Sequence, residues 1–117
     1  MSNVTINSVL QGLLRVRDEA REMPLAIFCT FLFVANHEES GEAPLSFLEV
    51  SKRLGLPNTT ISAHMRYLSP RIKPTRDGYG LVDIRTKPED RRQNYAVLTP
   101  KGKRLLNQTM TLMRIEK

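Results

Sequence analysis

The chain has 117 residues, enough for one domain with a modest core, and its hydrophobic content of 40% fits a folded protein. No apolar run reaches the roughly 18 residues a membrane span needs, and the most apolar stretch, Leu25 to Ala35, has no basic signal-peptide start before it. The single cysteine permits no internal disulfide and fits a reducing cytoplasm.

The formal charge of +6 is unevenly spread. Residues 1–50 hold three arginines against seven carboxylates, a net of −4, whereas residues 51–117 hold fifteen Lys and Arg against five carboxylates, a net of +10. An acidic half joined to a basic half points to a polyanion at one end only, nucleic acid above all.

In chain order, Val4, Val9, Leu10, Leu13, Leu14 and Val16 recur at helical spacing behind a cap at Asn7 or Ser8. That stripe fits either packing on its own domain or a dimer face. A second helix, with Pro24 in its first turn, should run to about Asn36. Its sequence LAIFCTFLFVA is apolar on nearly every side, so Phe28, Phe31, Leu32 and Val34 are expected in the core. Cys29 lies inside this run, with no basic neighbour to activate it, and is expected to be a buried structural thiol. His37 to Glu42 reads as a polar loop. With His64 the only other histidine, no zinc site, metal or cofactor is expected.

Residues 45–69 read as a helix-turn-helix. Ser46 with Glu49 forms a capping box, Phe47, Leu48, Val50 and Leu54 supply a buried side, and Gly55 suits the left-handed helix end. A further helix from Asn58 or Thr59 to about Ser69 places Ile61, Met65 and Leu68 inside. Outside it leaves Thr59, Thr60, Ser62, Ala63 and Arg66, with Asn58 at its start. These are short donors and acceptors plus one guanidinium, the side chains that approach base edges. No acidic residue occurs in 57–72, where a merely solvated helix would carry Glu.

Ser69 precedes Pro70 and ends that helix. A long basic connection follows, with Asp77-Gly78 as its turn signal, Ile72 as an inward anchor, and Arg71 and Lys73 as candidate phosphate contacts. Residues 80–98 read as a β-wing: Leu81 to Ile84, a charged tip at Lys87 to Arg92, then Tyr95 to Leu98. At the tip, an extended arginine, Arg91 or Arg92, suits a narrow minor groove, and Asp90 can hold one guanidinium in a fixed direction; a solvated salt bridge on an exposed hairpin is the plainer alternative. Thr99 and Pro100 start a last helix carrying Leu105, Leu106, Met110, Leu112, Met113 and Ile115.

This order of elements resembles the MarR family of winged-helix transcription regulators. The resemblance covers about 24–106 and rests on Gly80-Leu81-Val82, Pro88-Glu89-Asp90-Arg91-Arg92 and Leu98-Thr99-Pro100-Lys101-Gly102, with Leu54-Gly55-Leu56 and Thr60-Ile61-Ser62 in the helix-turn-helix. It implies a two-fold dimer on a pseudo-palindrome, with recognition helices in successive major grooves and wings in the flanking minor grooves. Carried over by position, Arg92 resembles the family's wing arginine with Asp90 as its orienting partner, which leaves Arg91 a phosphate contact or a spectator. The connection 69–79 is longer than the family's. The chain also stops at Lys117, where the family continues into a further dimerisation helix, so dimerisation is expected to rest on the Val4–Val16 stripe and the short last helix, or to be weak, and an effector site is doubtful.

The expected fold is therefore mainly α with a small β-wing, a winged helix-turn-helix, as a single domain over 1–117 with candidate dimerisation helices at 1–22 and 100–117. The expected function is a cytoplasmic, homodimeric, sequence-specific double-stranded-DNA-binding regulator. Repression is favoured because occluding a promoter requires only binding. The alternatives are a winged-helix protein-interaction module and a DNA-binding replication or partition factor. An enzyme is not expected, for want of a carboxylate pair, a Ser/His or Cys/His arrangement, or a Gly-rich phosphate loop.

Overall fold

The computed structural model describes residues 3–115; Met1, Ser2, Glu116 and Lys117, at the outer ends of the two candidate dimerisation helices, lie outside them. Helix α1 (Ile6–Glu19) is capped by Thr5, rather than by Asn7 or Ser8. Thr5 Oγ1 accepts from the Ser8 amide at 3.0 Å while Ser8 Oγ accepts from the Thr5 amide at 2.8 Å, a reciprocal capping box. Its buried side is Ser8, Gly12 and Val16, so the apolar stripe read from sequence is buried only at Val16, and Leu10 and Leu13 stay exposed. Small residues four apart let another helix come close, which a stripe of leucines would prevent.

Helix α2 (Leu25–Glu39) begins just after Pro24, which is its N-cap rather than part of its first turn, and runs past Asn36. His37, Glu38 and Glu39 are thus helical and not loop. Glu38 gains a tertiary partner there, its Oε1 accepting from the Leu98 amide at 3.0 Å. Phe28, Phe31 and Val34 are buried and Leu32 half-buried, with the Phe28 and Phe31 rings stacked at 6.3 Å. Cys29, however, is exposed, which corrects the expectation of a core thiol. It lies one helical turn on from Leu25, which is 73% exposed. An all-apolar helix does not reveal which of its sides the rest of the chain reaches.

Helix α3 (Phe47–Leu54) has the expected Ser46–Glu49 capping box and ends on Gly55 at φ 70°, the left-handed conformation. Phe47 and Val50 are buried, but Leu48 is exposed, being off the i, i+3, i+7 stripe. Helix α4 (Asn58–Leu68) buries Ile61, Met65 and Leu68 completely. Ser69 then adopts extended backbone, as a residue before proline must.

The connection after α4 is not a loop. Strands β1 (Arg71–Lys73) and β2 (Arg76–Asp77) pair antiparallel and turn at Pro74-Thr75 rather than at Asp77-Gly78, with Ile72 half-buried. Strands β3 (Val82–Lys87) and β4 (Asp90–Leu98) form a second antiparallel hairpin, in register from Val82↔Leu98 to Thr86↔Asn94. The register shifts at Thr86/Lys87, so the turn is Pro88-Glu89 and Asp90 to Arg92 open the returning strand instead of forming the tip. Ser46 bridges Tyr95, fastening the start of α3 to this hairpin.

Helix α5 (Pro100–Met113) starts as expected: Thr99 Oγ1 accepts from the Gly102 amide at 3.0 Å and Pro100 opens the first turn. Leu105 and Leu106 join the core, whereas Leu112 and Ile115 are exposed. It packs antiparallel on α1, because Ser8 Oγ reaches the Met113 carbonyl at 3.0 Å while Arg15 Nε donates to Gln108 Oε1 at 2.9 Å. At the crossing, a Cβ on Gly12 would stand 2.3 Å from Met113 Cγ. The architecture is mainly helical with a β-wing, a winged helix-turn-helix. Among the described residues no helix is long and apolar enough to cross a membrane.

Candidate nucleic-acid interface

Helix α4 divides into two faces. Its inner face ties the helix to α2 through a buried polar contact as well as through the core: Thr30 Oγ1 lies 2.8 Å from His64 Nδ1 and 3.2 Å from the Ala26 carbonyl. A hydroxyl has one proton, so a Thr30 that donates to Ala26 accepts from a protonated Nδ1 and leaves His64 Nε2 as the bare nitrogen. Burial pushes the His64 pKa below its ordinary value.

The outer face carries the residues singled out from sequence. Asn58, Thr59 and Arg66 are exposed, while Thr60, Ser62 and Ala63 are half-buried along its edges. No carboxylate lies on this helix. Pro57, as N-cap, brings no side-chain acceptor to its first turn, so that positive helix end is left for an external group.

The far end of α4 is satisfied by the chain that returns from the β1–β2 hairpin. The amides of Tyr79, Gly80 and Leu81 donate to the carbonyls of Tyr67, Ser69 and Leu68 at 2.8, 3.1 and 2.7 Å. These are the acceptors a helix end would otherwise leave open. The approach is close enough to demand glycine at 78, where a Cβ would stand 2.1 Å from the Ser69 oxygen. Arg71 and Lys73 are exposed on β1, and Arg71 donates to the Pro74 carbonyl at 2.7 Å. Arg76, part of the basic connection read from sequence but not singled out there, holds its guanidinium over the Tyr67 ring at 5.7 Å. Its signal was available, an aromatic near the end of a helix and a cation just beyond, but only the hairpin brings them together.

In the wing, Asp90 accepts from the Arg92 amide at 3.0 Å and from Arg92 Nε at 3.2 Å, and its other oxygen accepts from Gln93 at 3.2 Å. The Arg92 amide, and then its guanidinium, hold the Asp90 carboxyl below the usual carboxylate range. The Arg92 side chain is nevertheless 91% exposed. It therefore points outward while tethered at its Nε, with the terminal nitrogens of the fork open to an acceptor. Arg91 is exposed beside it. The turn end of the wing is tied to α3 by Lys87 Nζ at 3.5 Å from Glu49 Oε1. The candidate residues thus fall on three protrusions, α4, the β1–β2 hairpin and the wing. The segment 78–81 carries the backbone bonds between α4 and the two hairpins. No group of histidine, cysteine and carboxylate side chains that could hold a metal occurs among the described residues.

A helix-turn-helix followed by a two-stranded wing, with a helix before and after, defines the winged-helix class. No family model and no curated protein matches the sequence. Solved structures match its fold. RV1404 from Mycobacterium tuberculosis is 20% identical with a TM-score of 0.69 and covers 92% of this chain, which spans 64% of its own length. MepR of S. aureus, in a DNA complex, is 16% identical with a TM-score of 0.67 over 88% of this chain and 73% of its own. A mutant MarR from E. coli, complexed with operator DNA, is 18% identical with a TM-score of 0.63 over 91% of this chain and 64% of its own. The chain has the winged-helix fold of these MarR-type proteins and spans about two thirds of their length.

Proposed function

We propose that this chain is a MarR-type, sequence-specific double-stranded-DNA-binding transcription regulator acting as a homodimer. In this reading α4 enters the major groove with Asn58, Thr59, Thr60, Ser62, Ala63 and Arg66 toward the bases. The wing then sets Arg92 into the adjacent minor groove, oriented by Asp90. Arg71, Lys73 and Arg91 meet phosphates. The observation that carries the reading is the pairing of an acid-free outer face on α4 with an exposed, Asp90-tethered Arg92 on a wing that follows it. A tethered guanidinium loses less rotamer freedom on entering a groove than a free one does. Winged-helix neighbours solved on DNA support the same reading. Repression is the simplest outcome, since occupying a promoter needs no second partner, and the role needs no catalytic group.

Selection of bound duplexes from a random pool tests the proposal. The expected product is a pseudo-palindrome with half-sites about one helical turn apart, the spacing that two-fold symmetry imposes. Recovery of duplexes with no shared motif would leave the fold without this function.

A further inference from the structure

The hairpin β1–β2 has no role in a minimal helix-turn-helix and wing, yet it is the most basic short segment next to α4. Arg71, Lys73 and Arg76 are all exposed on it, against the single carboxylate of Asp77. It is also held firmly: the Gly78 amide donates to the Pro70 carbonyl at 3.0 Å, closing its base, and the amides of Tyr79 and Gly80 bind the last turn of α4. Two of its cations are restrained, Arg71 by the Pro74 carbonyl and Arg76 by the Tyr67 ring. Both arginines therefore hold their charge at defined places beside α4.

Its position follows from helix geometry. At about 100° per residue, Thr59, Ser62 and Arg66 point one way and Tyr67 lies roughly a quarter-turn to the side, at the edge where Ala63 and Thr60 lie. Arg76 sits on Tyr67, so the hairpin flanks the outer face of α4 laterally instead of covering it. When a helix lies in a major groove, the phosphate strands run along its flanks.

From this we infer that β1–β2 is a second wing, a phosphate clamp that grips one DNA strand beside α4 through Arg71, Lys73 and Arg76. The inference rests on the DNA-binding reading above, which already sets Arg71 and Lys73 at phosphates, and adds to it Arg76 and the hairpin as one sequence-independent clamp.

The test measures binding to a mixed-sequence duplex across a salt series for the unsubstituted chain and for Arg71→Gln/Lys73→Gln/Arg76→Gln. Each phosphate neutralised contributes about 0.9 to the slope of log affinity against log salt, so the triple variant is expected to lose about 2–3 from that slope. Its preference for a selected duplex over a scrambled one should be unchanged. Lys73→Gln alone, beside the turn, should lose about 0.9 without touching either restrained arginine. The charge-retaining pair Arg71→Lys/Arg76→Lys should keep most of the slope, which separates charge from hairpin shape. An unchanged slope in both Gln variants, with specific binding intact, overturns the clamp alone. Loss of sequence preference in the triple variant also overturns it, by making the hairpin a reader of bases. Failure of the unsubstituted chain to bind any duplex removes the DNA reading together with the clamp.

Discussion

At the scale of single residues, Arg92 and His64 show two ways in which a side chain is made ready by its neighbours. Arg92 is exposed and gains direction from Asp90, which binds both its amide and its Nε. Arg92→Ala should weaken binding to a selected duplex by about 1–3 kcal/mol, the usual worth of a good groove contact. Titration of the two proteins side by side checks this, and equal affinities would remove the wing from the mechanism. His64 is buried, bonded to Thr30, and depressed in pKa by desolvation. The cleft it lines also holds Arg21, Arg76, Glu22 and Asp77, with the Tyr67 and Tyr79 phenols. The folded chain therefore binds a proton at His64 less readily than the unfolded chain does. Its contribution to stability is fully present above the ordinary histidine value of about 6.5 and is lost as pH falls through the lowered folded value. Melting curves should show a Tm decline on acidification below about pH 6.5 that His64→Gln flattens; an identical decline in the variant would assign it to other groups.

Elements are where sequence and structure part company, and the reasons are physical. The helix-turn-helix was legible because its punctuation is local: Ser46 and Glu49 cap α3, Gly55 ends it, and Pro70 forces Ser69 out of α4. The wing was legible in outline, but its strands extend further: Asp90 pairs with Lys87 beyond the register shift at Thr86/Lys87, and Arg91 to Gln93 are the extra residues of that irregularity. The β1–β2 hairpin was not legible. Strands of three and two residues are too short for an alternating pattern to appear, and what holds them lies in the last turn of α4. In helix α1 the apolar stripe left two readings open, and packing within the domain falls to Ser8, Gly12 and Val16 while Leu10 and Leu13 mark the exposed side. The hinge between helix and hairpins gives the prediction for this scale. Gly78→Ala would press a Cβ onto backbone oxygens of Ser69 and Tyr67. Forcing that backbone apart should cost about 1–3 kcal/mol, read from denaturant unfolding. A stability within error of the unsubstituted chain would show that residues 66–69 can yield.

For the molecule as a whole, charge and apolar surface are both unevenly placed. Residues 1–50 are net acidic and residues 51–117, which include α4, both hairpins and α5, are strongly basic. The most exposed apolar side chains lie on the other helices: Ile6, Leu10 and Leu13 recur at helical spacing on α1, and Leu25 stands out at the start of α2. In α1 this stripe faces away from α5, because the α5 contacts come from Ser8, Gly12 and Arg15. A second copy covering it would accord with the proposed dimer. Leu10→Glu/Leu13→Glu should then shift the chain from dimer to monomer in light scattering while leaving its helical circular dichroism unchanged. A monomer already in the unsubstituted chain would contradict the two-fold arrangement and its paired wings.

Every part of this reading converges on a groove-binding surface that recognises a particular duplex and grips phosphates while doing so. The most direct measurement is binding of a selected duplex across a salt series, in competition with a scrambled duplex of equal length and composition. The expected result is a steep loss of affinity with salt, about 0.9 in slope per phosphate contacted, together with a preference for the selected sequence that persists as salt rises. A shallow slope with no preference between the two duplexes would contradict it.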